Sequence, residues 1–96
     1  MEGVTITRHN HGASGEYVAH VAGSDHIGRL TWVVQDGVKV ADHTLVPPEI
    51  GNRGVAAALV EALVADARAE GFRIRPQCTY VVAAFKRHPE WAVLKG

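Results

Sequence analysis

A chain of 96 residues can bury one hydrophobic core and has no room for a second, which predicts a single domain over residues 1–96. Hydrophobic residues make up 47% and charged residues 21%, a globular composition that excludes a disordered or low-complexity chain. Ten Lys and Arg balance ten Asp and Glu, so nothing electrostatic points to nucleic acid or to an anionic membrane.

The N-terminus shows no basic segment followed by an apolar one, and no apolar run approaches the ~20 residues that span a bilayer. A soluble, cytoplasmic chain is expected. Residues 4–8 alternate, with Val4, Ile6 and Arg8 on one side and Thr5 and Thr7 on the other, and read as a short edge strand. A loop over 11–15 precedes a second strand, Tyr17 to Ala22, which Ser24-Asp25 ends. The β-branched and aromatic run from Ile27 to Val34 meets Asp36-Gly37, a strong hairpin signal, and the returning strand runs from Val38 to Val46. Strict alternation puts Val38, Val40, Asp42, Thr44 and Val46 on one face and Lys39, Ala41, His43 and Leu45 on the other.

Pro47-Pro48 stops the meander, because proline lacks the N–H that a central strand donates. A helix is predicted from Asn52 or Arg53, with Asn as cap, to about Glu70. Its apolar stripe is Val55, Leu59, Ala62, Leu63 and Ala67, widened by Ala56 and Val60, with Glu61, Asp66, Arg68 and Glu70 mostly off it. Gly71 is placed to end the helix in the left-handed conformation. Phe72 to Arg75 alternates as a further strand, which the intervening helix makes parallel to Val38–Val46. Thr79 to Arg87 reads as a second helix with Val82 and Phe85 on one side, broken by His88-Pro89, with Trp91 and Leu94 folding back on the core. The fold class is therefore α/β (α+β): a mixed sheet, an antiparallel N-terminal meander followed by strand-helix-strand, and a short C-terminal helix.

Three features can carry chemistry. The loop Gly51-Asn52-Arg53-Gly54-Val55-Ala56 feeds a helix N-terminus, where unpaired N–H groups and the positive end of the helix dipole suit an anion. Ala56, Ala57 and Ala58 leave the first turn bare enough for a bulky anionic ligand, and Arg53 can add a charge-assisted contact to phosphate. An ordinary glycine turn before a helix is the competing reading. Cys78 stands between a strand and a helix near Arg75, a setting that lowers a thiol pKa; a buried inert thiol is the alternative. His43, just upstream of the loop, is either a general base facing a cleft or a plain strand histidine. A lone cysteine forbids an internal disulfide, and His9 with His11 make a solvated turn rather than a metal site. No metal is expected.

The run His43-Thr44-Leu45-Val46-Pro47-Pro48-Glu49, the loop ending Gly54-Val55-Ala56, then Pro76-Gln77-Cys78-Thr79-Tyr80-Val81 and His88-Pro89-Glu90-Trp91 occur in that order. Together they resemble the small single-domain branch of the GCN5-related N-acetyltransferases, over about Tyr17 to Leu94. The resemblance implies a pyrophosphate of acetyl-coenzyme A on the loop amides and a pantetheine arm where the strands on either side of the helix splay apart. Val46, Gly54, Val55 and Ala56 would line that site, with Asn52 and Arg53 beside it. In that branch a cysteine at the place of Cys78 is the catalytic or acetyl-proximal residue.

The chain departs from the family's usual Arg-Gly-x-Gly-x-Ala loop: the first basic or amide side chain is missing, and Asn52 replaces a glycine. The resemblance also implies an open acceptor side, which suits the amine of a peptide or protein. Transfer of acetyl from acetyl-CoA to such an amine is the leading expectation, by direct attack with His43 as base or through acetyl-Cys78. A non-catalytic acyl-CoA-binding or sensing module is the alternative.

Overall fold

In the computed structural model, which describes residues 3–51 and 53–96, the alternating runs all become strands. β1 (Val4–Asn10), β2 (Ser14–Val21), β3 (Ile27–Gln35) and β4 (Val38–Leu45) form an antiparallel meander, and β5 (Ile74–Pro76) adds parallel to β4 in the order β1-β2-β3-β4-β5. Asp36 at φ 55° and Gly37 at φ 76° turn β3 into β4. Two consecutive positive values are what a type I′ hairpin turn needs, and Asp-Gly tolerates them. β1 lies at one edge, as its short alternating run predicts.

Helix α1 (Val55–Glu70) connects β4 to β5; α2 (Thr79–Arg87) and a closing 3-10 turn (Pro89–Leu94) follow. They pack against one face of the sheet. Tyr17, Ala19, Leu30, Trp32 and Ala41 from the strands meet Leu59 and Leu63 of α1, Val81 and Phe85 of α2, and Trp91. Val18 and Val40 are buried outside this cluster, on a face that otherwise carries half-buried or exposed residues such as Glu16, His20, Arg29 and Thr31.

The structure corrects several boundaries. α1 begins at Val55, capped by Gly54 at φ 70° with no side-chain hydrogen bond, not at Asn52 or Arg53; Asn52 lies outside the described residues. A left-handed cap favours glycine, so the chain starts its helix only after Gly54 has made the turn. Ala58 and Val64 join the expected stripe. Gly71 closes the helix at φ 80°, donating its N–H to Ala67, as expected. β5 has three residues rather than spanning Phe72 to Arg75, and Pro76 is its last member. On α2 the buried residues are Val81, Ala84 and Phe85, while Val82 is half-buried.

Asp66 also departs from its expected place off the packed side. Its carboxylate accepts two hydrogen bonds from Arg8, at 2.7 and 3.1 Å, and one of 2.8 Å from the hydroxyl of Tyr17, tying α1 to the first two strands. Beside it the Lys39 ammonium sits between the rings of Trp32 and Phe72, 4.0 and 4.1 Å from their centroids.

The indole of Trp32 lies against Gly15. A Cβ at that position would run into the indole ring and into the His9 carbonyl oxygen at 2.6 Å. Gly15→Ala is therefore expected to destabilise the fold by about 2 kcal/mol. A chemical denaturation midpoint unchanged from wild type would contradict this packing.

Candidate functional site

The site begins where β4 and β5 part. Their ladder pairs Lys39 with Ile74, Val40 with Arg75 and Ala41 with Pro76, and then ends. Gln77 and Cys78 both donate their N–H to the Ala41 carbonyl, at 3.1 and 3.0 Å, and the chain turns away into α2. β4 runs on alone to Leu45. The backbones of β4 and of the segment entering α2 part there, which leaves a gap in the ladder.

A β-bulge shapes the β4 side of this gap. Thr31 pairs with His43 and Trp32 with Ala41, so Asp42 is an extra residue with no Cα partner on β3. Strict alternation through β4 therefore fails. Lys39 and Ala41 face the helices, His43 and Leu45 face the open side with Thr31 and Arg29, and Thr44 returns to the helix side opposite the buried Leu30. Asp42 turns to the open side too, where its carboxylate accepts a 2.7 Å hydrogen bond from the Thr31 hydroxyl.

Cys78 occupies the position just before α2 and is half-buried against the core. Burial pushes its thiol pKa up. The Thr44 hydroxyl, the N–H groups of Tyr80 and Val81, and the Thr44 N–H outweigh burial and hold it below the ordinary value. Each of these donors favours the thiolate. The Thr44 hydroxyl oxygen is buried and makes no hydrogen bond, the one such side-chain atom among the described residues. Its proton is thus uncommitted until a thiolate forms beside it.

The third part is the turn into α1. Pro48–Ile50 forms a 3-10 turn; Gly51 donates to the Pro48 carbonyl at 3.1 Å and Arg53 to that of Ile50 at 3.3 Å. The first intrahelical bond runs from the Ala58 N–H to the Gly54 carbonyl at 3.0 Å. N–H groups ahead of it have no acceptor within the helix, and the first turn carries no acidic side chain. Arg53 is exposed alongside, and Ala56 and Ala57 are half-buried. Small side chains and a glycine cap leave this helix end approachable by an anion.

Of the residues singled out from sequence, Cys78 stands where the chain turns into α2, Gly54 and Ala56 stand at the start of α1, and the Val55 side chain is buried in the core near Gly28. Val46 follows β4 at once, but its side chain packs on the core near Gly28. His43 is exposed on the open face, and no hydrogen bond joins it to Cys78 among the described residues. Sequence reasoning missed Thr44 and Asp42. Thr44 becomes visible only once the bulge has turned it towards the helices, and alternation alone would have assigned it to the other face. No cluster that could hold a metal ion exists among the described residues. No helix among them is long and apolar enough to cross a membrane.

A family model described as GCN5-related N-acetyl-transferase matches residues 16–94. The crystal structure of a GNAT family acetyltransferase from Elizabethkingia anophelis with acetyl-CoA bound is similar in fold, with a TM-score of 0.67 at 11% identity over 95% of this chain and 76% of that one. No curated protein matches the chain significantly.

Proposed function

The chain belongs to the GCN5-related N-acetyltransferase family, and from that premise we propose that it binds acetyl-CoA in the gap between β4 and α2 and passes the acetyl group to an amine of a peptide or protein. The observation that carries this reading is Cys78, a half-buried thiol just before α2 whose pKa is held below the ordinary value. A thiol that ionises more readily than usual serves as a nucleophile towards a thioester. Loop 51–54 and the first turn of α1, with Arg53 beside them, take the pyrophosphate.

In the covalent route the Cys78 thiolate attacks the thioester carbon, and the bond from carbon to the coenzyme A sulfur breaks, releasing that sulfur as thiolate. The acceptor amine then attacks the acetyl carbon on Cys78. The new carbon–nitrogen bond forms as the carbon–Sγ bond breaks, and the amine's proton passes to His43, which lies on the open face one residue from Thr44. Direct attack by the amine on the thioester would use the same base and leave Cys78 as a neighbour of the acetyl group. A reactive lone thiol suits a reducing compartment, which agrees with a cytoplasmic protein.

Calorimetric titration of acetyl-CoA into the purified protein tests the binding step. Saturable binding in the micromolar range, roughly −8 kcal/mol, is expected. Absence of any heat or thermal shift at millimolar ligand would end the acetyltransferase reading. Binding without transfer to any amine would leave an acyl-CoA-binding or sensing module instead. Arg53→Ala is expected to weaken acetyl-CoA binding by about three- to tenfold, with the loss shrinking as salt rises.

A further inference from the structure

We propose that the cavity between the end of β5, α2 and the closing 3-10 turn is a second ligand site, which takes a small apolar carboxylate of the medium-chain fatty acid type. It is separate from the acetyl-CoA site proposed above and does not rest on it, since no described residue of α1, of β4 or of the turn before α1 lines it. The cavity measures about 340 Å³, at the small end of the roughly 300–1,000 Å³ that ligand pockets span. Pro76, Val82, Phe85, Pro89 and Ala92 supply its carbon lining. Two of these five are prolines, which bring no backbone N–H to the surface. Water held against such a lining is released when an apolar chain replaces it.

The cavity is held ready by bonds that no ligand has to make. Gly96 donates its N–H to the Ile74 carbonyl at 2.9 Å, Arg73 donates from Nη1 to the Val93 carbonyl at 2.8 Å, and Lys95 donates its N–H to the Ala92 carbonyl at 3.2 Å. These bonds fasten the 3-10 segment to β5. Phe85, edge-on to the buried Trp91 with ring centroids 5.4 Å apart, is a floor anchored in the core. Little ordering is left to oppose binding.

Charge selects the occupant. Lys86 and Lys95 are the charged residues of the lining; both are exposed, and neither has an ion-pair partner among the described residues. No acidic side chain lines the cavity among them. Two unmatched ammonium groups beside a carbon-lined hollow suit a ligand with one anionic head and an apolar body. An amine would be repelled, and a bare anion would leave the hollow unfilled. A lining of seven residues suits a small molecule rather than a protein, whose standard interface takes about 20–30 residues a side.

The test is a titration of octanoate into the full chain followed by amide NMR, with octanamide as the neutral comparison and acetate as the one without a tail. Expected is saturable movement of the Val82, Phe85, Lys86, Ala92 and Lys95 amides at a dissociation constant of roughly 100 μM. Octanamide should bind about fivefold more weakly, acetate should not saturate, and added acetyl-CoA should leave the octanoate midpoint unchanged. Lys86→Ala combined with Lys95→Ala should weaken octanoate about fivefold. Ala92→Trp, at an exposed position, should fill the cavity and weaken octanoate at least about tenfold. A thermal melt close to wild type is the control for both variants. The inference is overturned by an absence of octanoate binding, by octanamide or acetate binding as tightly as octanoate, by shifts confined to other parts of the chain, by displacement with acetyl-CoA, or by wild-type affinity in either variant. The acetyltransferase reading stands or falls separately, with the acetyl-CoA titration.

Discussion

Replacing Cys78 with alanine is expected to lower acetyl transfer about a thousandfold or more while leaving acetyl-CoA affinity within about twofold. The side chain is small, half-buried and bound to the rest of the gap through its backbone, since the Cys78 N–H to the Ala41 carbonyl does not involve the sulfur. The fold should therefore survive, and a thermal melt close to that of wild type is the control. Incubation with acetyl-CoA in the absence of an amine should place an acetyl group on Cys78, seen by intact mass and lost in Cys78→Ala. Transfer that persists in the alanine variant at the wild-type rate would mean direct attack by the amine.

The donors around the sulfur make a second, activity-free statement about the same residue. Because the Thr44 hydroxyl and the Tyr80 and Val81 amides overcome burial, the thiol ionises below its ordinary value of 9.0. The rate of alkylation by iodoacetamide should thus climb with pH around a midpoint under 9.0, and Thr44→Val should move that midpoint upward by removing one donor. An unshifted midpoint in the valine variant would place the hydroxyl elsewhere.

The largest stability effect is expected at Asp66. Asp66→Ala should cost about 3 kcal/mol, read from denaturant unfolding. The Arg8 side chain is 49% exposed, so solvent screens much of its share. Most of the loss comes from the hydroxyl of Tyr17, a residue only 3% exposed, which is left inside without an acceptor. Tyr17→Phe in the alanine background should accordingly cost little more. If the double variant falls far below Asp66→Ala, the hydroxyl has a partner that this account lacks.

The same carboxylate sets an acid limit. Burial raises the Asp66 pKa, but the Arg8 and Tyr17 hydrogen bonds more than offset it and leave the folded value below the ordinary 3.8. A group depressed on folding contributes stability above its unfolded pKa and loses it as pH falls through the folded value. The contribution is complete above 3.8 and declines below it. Asp66→Asn should remove this part of the acid sensitivity, making the variant's stability flatter than wild type in that window. Parallel pH curves for the two proteins would contradict it.

How much of this was legible in the sequence depended on whether a residue's role was local. The hairpin at Asp36-Gly37, the cap at Gly71 and the limits of α2 are each decided by a few neighbouring residues, and the structure places them as read. The start of α1 was misread because Asn52 is a good cap in isolation, whereas the left-handed turn at Gly54 comes later and takes precedence. The site was half legible. Cys78 and the loop follow from the helix starts they adjoin, but Asp42 and Thr44 acquire their positions from pairing with β3, a relation between distant residues that periodicity along one strand does not contain. The Asp66 cluster escaped for the same reason: Arg8 and Asp66 are 58 positions apart.

The extra residue in β4 makes the site a matter of parity. A strand has two sides and a repeat of two, so one insertion exchanges the sides of everything beyond it while leaving everything before it untouched. Upstream, Lys39 and Ala41 serve the core; downstream, His43 and Leu45 meet solvent and Thr44 meets the sulfur. Between the hairpin at Gly37 and the stop at Pro47, the number of residues thus matters as much as their identities. A chain shortened there by one could keep every side chain named above and still present His43 and Thr44 to the wrong sides of the sheet.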